Sequence, residues 1–332
     1  MSDNSYIEQA PLDPVLSACE LPLRRTFYPY GFPLELETNS QDVIAAASEG
    51  WDAFPQMFDE APARMCLGVL EDSGDVLAPE SAVRSREHMM SIVSDPANFM
   101  VCDFNRGFAF GWVTQNTAAD HPLLRYRFLT AGGGTLVEQR AFSSLHGALV
   151  VRNGTGVMLC GDSFAGRSTL AYACARAGWK YVSDDGAYVV RSRDDRFTIG
   201  DPHGIRFRPD APDLFPELAD FLPRIRPNGK IGVEVRTREL PIAIASGCTV
   251  EHVVYLNRNR HREHAGRARL GHYSKARVRE EWTKFLSLGT QDVREDQRRS
   301  QERILSAPLW EMQYSDLDDA IARLERLVDH GA

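Results

Sequence analysis

The segment Gly161-Asp162-Ser163-Phe164-Ala165-Gly166-Arg167-Ser168-Thr169 matches the pattern GxxxxG[K][ST] at every position except the lysine. That pattern suits phosphate binding for a simple reason. Gly166 lets the backbone approach phosphate oxygens, several N–H groups then point inward, and a following helix N-terminus adds partial positive charge. Ser168 is placed to offer its hydroxyl to Mg²⁺. Arg167 occupies the lysine position, and the two cations are not equivalent. Lysine is a compact point charge, whereas arginine is bulkier and prefers bidentate, planar contacts. A plain strand-to-helix turn is the alternative reading of the same residues.

Two further features could share that chemistry. Asp184-Asp185 follows the loop by one helix and one strand. One carboxylate can hold Mg²⁺ while the other accepts a proton from an attacking hydroxyl. His146 precedes the strand that feeds the loop, where it could touch a terminal phosphate or steer the base. A solvated Asp-Asp-Gly turn and a structural histidine are the respective alternatives. His203, Arg206, Arg208 and Lys230 follow the acid pair and are candidate supporting cations, because phosphoryl transfer needs positive charge around the transferring group.

The elements that must position these residues are legible from apolar patterning. Gly147–Val151 and Val157–Cys160 flank a turn at 153–156 and read as a hairpin leading into the loop. Ser168–Ala177 reads as a helix closed by Gly178. Trp179–Val182 reads as the strand that ends at the acid pair. Ala187–Arg191 with Arg196–Ile199 reads as a hairpin. Residues 201–229 are proline-rich and read as irregular. Val233–Arg236, Ile242–Ala245 and Val253–Leu256 read as strands, Lys275–Leu288 as a helix, and Glu311–Tyr314 as a strand. The last helix, Leu317–Val328, places Leu317, Ile321, Leu324 and Leu327 on one face.

Upstream, residues 1–26 read as a leader, partly disordered. Residues 27–130 read as an N-terminal α+β region: strands at Pro33–Glu37 and Arg64–Leu70, a helix at Gln41–Phe54, and a strand pair, Phe99–Asp103 with Gly107–Gln115. Tyr126–Phe142 suggests a helix interrupted by a turn at Ala131–Gly134. Residues 131–332 then form the nucleotide-binding domain.

The runs Leu145-His146-Gly147-Ala148-Leu149-Val150, Gly156-Val157-Met158-Leu159-Cys160-Gly161, Gly166-Arg167-Ser168-Thr169 and Val182-Ser183-Asp184-Asp185 resemble the kinase domain of HPr kinase/phosphorylase, over about residues 145–186. The resemblance implies an α/β fold with the P-loop nucleotide-binding core shared by HPr kinase and phosphoenolpyruvate carboxykinase, distinct from Ras-like proteins. It implies ATP and Mg²⁺ as cofactors and phosphoryl transfer to a hydroxyl. By position, Gly161–Thr169 would hold the phosphates, Ser168 and Asp185 the Mg²⁺, and Asp184 would be the general base, with His146 lining the site. Arg167 departs from the family's lysine. Glu234-Val235-Arg236 is followed by Thr237 where the family's EVRG signature has glycine. The N-terminal region does not match the family's own. The acceptor therefore stays open among a protein or peptide Ser/Thr and a small molecule. A catalytically weak or inactive nucleotide-binding regulator is the alternative, motivated by Arg167.

Composition narrows the rest. The 332 residues carry 38 basic and 46 acidic side chains, so 38 − 46 = −8. That mildly acidic balance argues against a general nucleic-acid binder. Eight basic residues and one acid, Glu263, fall between Arg258 and Arg279, and this segment reads as a solvated loop before a helix. Cys19, Cys66, Cys102, Cys160, Cys174 and Cys248 form no CxxC pair and read as buried thiols. The N-terminus lacks an apolar signal core and no apolar run reaches about 20 residues. A cytoplasmic protein without a membrane partner is expected, and homo-oligomerisation is left open.

Overall fold

The computed structural model describes residues 20–70, 77–162, 164–225, 229–258, 267–283 and 289–331. The fold is mixed α/β with several sheets, and the chain divides into two compact units, Met1–Arg140 and Ala141–Ala332. The division thus follows Arg140, where the sequence suggested residue 130.

The first unit is built on strands β1 (Leu23–Phe27), β2 (Leu34–Thr38), β3 (Ala63–Leu70), β4 (Ala82–Arg86), β5 (Met89–Asp95), β6 (Asn98–Asp103) and β7 (Phe108–Thr114), in the sheet order β1-β2-β3-β7-β6-β5-β4. Helix α1 (Gln41–Trp51) buries Val43, Ala46, Ala47 and Trp51, and the Ser40 hydroxyl caps it by accepting from the Asp42 N–H. Two sequence expectations change here. β1 occupies part of the expected leader; residues 1–19 lie outside the described residues. The expected turn at Ala131–Gly134 is helical instead, within a π-type helix, Arg125–Gly134. All three glycines are buried. A side chain at Gly132 would meet the Met100 sulfur, and one at Gly133 would press on Leu34, Met65 and Trp51. The glycine run serves close packing.

The second unit holds a ten-stranded sheet. Its strands are β8 (Phe142–His146), β9 (Ala148–Arg152), β10 (Thr155–Cys160), β11 (Lys180–Ser183), β12 (Gly186–Val190), β13 (Phe197–Ile199), β17 (Ala243–Ile244), β18 (Gly247–Arg258), β19 (Arg269–His272) and β20 (Leu309–Tyr314). A separate small sheet contains β14 (Gly204–Phe207), β15 (Arg224–Ile225) and β16 (Ile231–Arg236). Strand and turn structure thus replaces much of the irregular run expected over 201–229, because Ile205 and Phe207 alternate inward against the core while Arg206 and Arg208 point out. Helices α2 (Arg167–Arg176), α3 (Lys275–Thr283), α4 (Gln291–Leu305) and α5 (Leu317–His330) complete the unit. The sequence reading did not contain α4, whose strongly charged composition hides an apolar edge at Ile304 and Leu305. Residues 284–288 of the expected Lys275–Leu288 helix lie outside the described residues.

Strand β9 shows how the two cores arise. Ala148 and Val150 join a cluster with Leu170 of α2 and Leu324 of α5, whereas Leu149 and Val151 join one with Val278 of α3 and Ile304 of α4. Alternation sends successive side chains to opposite faces, so helices cover the sheet on both sides. Among the described residues no helix is long and apolar enough to cross a membrane.

β9 pairs antiparallel with both β10 and β11, and β10 runs parallel to β18. β10 and β11 are therefore parallel to each other with β9 between them, and their C-terminal ends share one edge. The close approach of β10 to β18 depends on Gly156, where a Cβ would strike the Thr249 carbonyl and the Cys248 side chain. Gly156→Ala is expected to destabilise the protein by about 1–3 kcal/mol, the usual cost of overpacking a tight site. Urea denaturation checks this; an unchanged midpoint would show that the strand pair tolerates the methyl group.

Candidate functional site

The loop between β10 and α2 reverses the chain through three left-handed residues: Gly161 (φ 144°), Phe164 (φ 78°) and Gly166 (φ 93°). A Cβ at Gly161 would stand 2.9 Å from the Leu256 carbonyl oxygen and from the Ala165 methyl, so only glycine fits there. Ala165 N–H donates to Asp162 O (3.0 Å) and Leu170 N–H to Gly166 O (2.8 Å), tightening the turn into the helix. The Tyr314 hydroxyl at the end of β20 donates to Ala165 O at 2.8 Å and braces the loop from behind. No side chain caps the first turn of α2, so its N–H groups and the positive end of its dipole face the loop. At its other end, Gly178 (φ 92°) allows the Gly178 N–H to reach Ala175 O and the Trp179 N–H to reach Cys174 O. Ser163 lies outside the described residues.

The acid pair follows β11 at the same sheet edge. Asp184 is 7% exposed and accepts a hydrogen bond at Oδ2 from the Arg206 backbone N–H, 3.1 Å away. Ser168, at the start of α2, also acts on this carboxylate and favours its ionised form. Burial raises the Asp184 pKa to about 6, against the opposing effects of the Arg206 N–H and guanidinium; Asp185 adds to the rise, and Ser168 opposes it. Asp185 is far more open, with its side chain 53% exposed.

His146 and Arg167 meet beside Asp185. His146 Nδ1 lies 3.3 Å from Asp185 Oδ1, while its Nε2 faces the Arg167 guanidinium. Burial and then the Arg167 charge lower the His146 pKa, while Asp185 opposes the shift. A neutral ring with its proton on Nδ1 satisfies both neighbours, accepting at Nε2 from Arg167. Arg167 also donates to the Gly161 carbonyl and lies 3.8 Å from Asp185. Its planar fork thus spans the mouth of the loop, a geometry that lysine would not reproduce.

The other candidate residues are distributed around this centre. Arg206 pairs with Glu234 (Nε–Oε1, 3.3 Å), and its charge also acts on Asp184. The Arg208 guanidinium lies over the Phe164 ring, 3.6 Å from the centroid. Lys230 is exposed, and its charge reaches His146. His203 is half-buried, with its backbone N–H donating to Asp201 at 3.1 Å. Arg236 of the EVRG-like stretch lies in β16, opposite Gly204. Of the basic segment, Arg258 ends β18, with Cδ 3.7 Å from where a Gly166 Cβ would stand; residues 259–266 lie outside the described residues.

Sequence reasoning missed three contacts: Tyr314 against the loop, Arg258 beside Gly166, and the pairing of Phe164 with Arg208. The first two depend on the parallel pairing of β20 and β18, which local patterning does not encode. The i, i+2 spacing of Arg206 and Arg208 was an available signal for a shared strand face.

Among the described residues, no group of three or more His, Cys, Asp or Glu could hold a metal ion. The donors at the loop are instead a hydroxyl and one or two carboxylates. That set suits Mg²⁺, which binds few protein oxygens and keeps waters and substrate phosphates.

No family model matches the chain, and no curated protein matches it. Among solved structures the chain is similar to the HPr(Ser) kinase/phosphatase from Coxiella burnetii, at 13% identity and a TM-score of 0.28, over 56% of this chain and 97% of that one. This is a weak and partial resemblance of fold.

The raised Asp184 pKa has a consequence for stability. Its folded value of about 6 lies above the roughly 3.9 of an unfolded aspartate. The stabilisation from the protonated carboxyl is therefore complete below about pH 4 and is lost as pH rises through about 6. Relative to the wild type, Asp184→Asn is expected to gain about 2 kcal/mol between pH 4 and pH 8. Urea unfolding of both proteins across that range checks it, and a pH-independent difference would contradict the burial effect.

Proposed function

We propose that this protein is an ATP- and Mg²⁺-dependent kinase that transfers a phosphoryl group to a hydroxyl, either a Ser or Thr of a protein or peptide or a small-molecule alcohol. The observation that carries this reading is the placement of the buried Asp184 carboxylate, held by the Arg206 N–H and within electrostatic reach of Ser168, at the mouth of the Gly161–Thr169 loop. It joins a phosphate-type loop and an uncapped helix start to a buried carboxylate, the combination phosphoryl transfer requires.

In this reading the backbone N–H groups of Gly161–Thr169 hold phosphate oxygens, and Arg167 and Arg206 supply positive charge. Ser168 and Asp185 hold Mg²⁺, which neutralises charge on the phosphates when bound. Asp184 accepts the proton of the acceptor hydroxyl; its pKa of about 6 is close to that of an effective base near neutral pH. His146 bridges Asp185 and Arg167 and fixes their orientation.

Two observations favour variants of this scheme. Ser168 acts on Asp184 at the mouth of the loop, which suits those two residues to share one cation, so that the two aspartates would exchange roles. Arg167, engaged with Gly161 and His146, suits a nucleotide-binding regulator that transfers nothing.

Labelled ATP presented with candidate hydroxyl acceptors, alongside nucleotide-binding titrations with and without Mg²⁺, separates these outcomes. Asp184→Asn is expected to slow transfer by about 10²–10⁴-fold, with Mg²⁺-dependent binding retained. Asp185→Asn is expected to weaken the Mg²⁺ dependence of binding. The reverse pattern in the two variants establishes the exchanged roles. Binding without transfer in the wild type, with transfer gained in Arg167→Lys, establishes the regulator. Absence of any nucleotide binding overturns the reading.

A further inference from the structure

The tip of the loop carries a feature that stability does not explain. Phe164 adopts φ 78°, a left-handed conformation that is an outlier for a bulky residue, and its ring is 57% exposed. Backbone strain of about 1–3 kcal/mol accompanies such conformations. Burial of the ring offsets little of it, since the ring faces solvent. What the ring does contact is the guanidinium of Arg208, stacked 3.6 Å from its centroid.

Stacking leaves the guanidinium donors free. The contact uses the flat face of the group, while the N–H bonds lie in its plane and point outward from the edge. The strand supporting Arg208 also fixes its location. Arg206 and Arg208 are two residues apart and both are exposed, while Ile205 and Phe207 are buried. The backbone N–H of Arg206 holds Asp184, on which Ser168 also acts. Arg208 directly follows β14, and two residues of extended chain span about 7 Å, so its backbone lies within about that distance of the Arg206 amide that holds Asp184. In the reading above the cation bridges the outer phosphates, so a cation this near to Asp184 is suited to the terminal phosphate rather than the α-phosphate.

Resting on the nucleotide-binding reading above, we infer that Arg208, held flat by Phe164, recognises the terminal phosphate of a nucleoside triphosphate and discriminates it from a diphosphate. The strained backbone at Phe164 presents the ring as a platform, and the platform keeps a long, flexible cation in one orientation before ligand arrives. This is preorganisation in the ordinary sense, lowering the entropic cost of engaging the phosphate.

The test is titration calorimetry of a non-hydrolysable ATP analogue and of ADP, each with Mg²⁺, against wild type, Arg208→Ala, Phe164→Leu and the double variant. Arg208→Ala is expected to weaken the triphosphate analogue by about 10–100-fold, the loss of a charge-assisted contact, and ADP by less than about threefold. Phe164→Leu keeps an apolar side chain without the flat ring. It is expected to weaken the analogue by about three- to tenfold, and to add nothing once Arg208 is removed. Thermal melts identify any variant that has lost its fold; Arg208→Lys, which retains the charge but cannot stack its donors in a plane, then replaces Arg208→Ala and is expected to lose at least half of the discrimination. Equal weakening of both nucleotides, or no weakening of either, overturns the assignment of Arg208. Additive effects of the two substitutions overturn the platform role of Phe164. If the wild type binds neither nucleotide, the nucleotide-binding reading itself has failed.

Discussion

An antiparallel ribbon and the bend within it bring His146 and the acid pair of the candidate site together. β8 and β9 run against β12 and β11, with His146 opposite Gly186 and Leu149 opposite Ser183, and the register shifts between Tyr181 and Ser183. The Gly147 N–H bonds to Asp185 O at 3.1 Å where the ribbon passes between its two halves. A Cβ at Gly147 would stand 2.7 Å from the Met158 methyl and 3.2 Å from the Leu159 carbonyl oxygen, so any side chain there would displace Met158. Because His146 and the acid pair flank this crossing, they are neighbours by strand pairing. The loop joins them because β9 is sandwiched between β10 and β11, which brings the C-terminal ends of those two strands to one edge.

Around that edge the charges are arranged so that few are left alone. Asp184 is buried, and its ionised form is opposed by desolvation, yet it receives an amide N–H and lies within reach of the Arg206 charge and of Ser168. Asp185 stays open and meets His146 and Arg167. Two adjacent carboxylates thereby acquire different environments, which is the usual physical basis for dividing acid–base work from ion binding. Arg167 fits the same logic. Its planar fork satisfies a carbonyl and an imidazole together, so the substitution that looks disruptive in the sequence is accommodated by partners suited to arginine.

Much of the second unit was legible in the residues. The β9–β10 hairpin, α2 with its glycine stop, β11 and the final amphipathic helix follow from local signals: alternation, left-handed turns and a 3.6-residue period. The glycine run at Gly132–Gly134 misled for an instructive reason. Glycine marks both turns and close helix packing, and only the surrounding Met100, Leu34 and Trp51 distinguish them. Helix α4 escaped because its charged face outweighs a narrow apolar edge. β14 escaped because prolines nearby obscured a four-residue alternation.

Residue type and spacing settle which groups are available: a glycine loop with a hydroxyl, a cation in the lysine position, two adjacent carboxylates and a nearby histidine. Those are local facts, set by residue type and spacing. Tertiary structure alone decided which of them meet. Asp184 is buried and bonded to the Arg206 amide, Asp185 is exposed toward His146, Tyr314 braces the loop and Arg208 lies on Phe164 because strands distant in sequence pair in particular registers. Pairing energies depend on contacts across the whole sheet and on both of its cores, so no short window of the chain contains them.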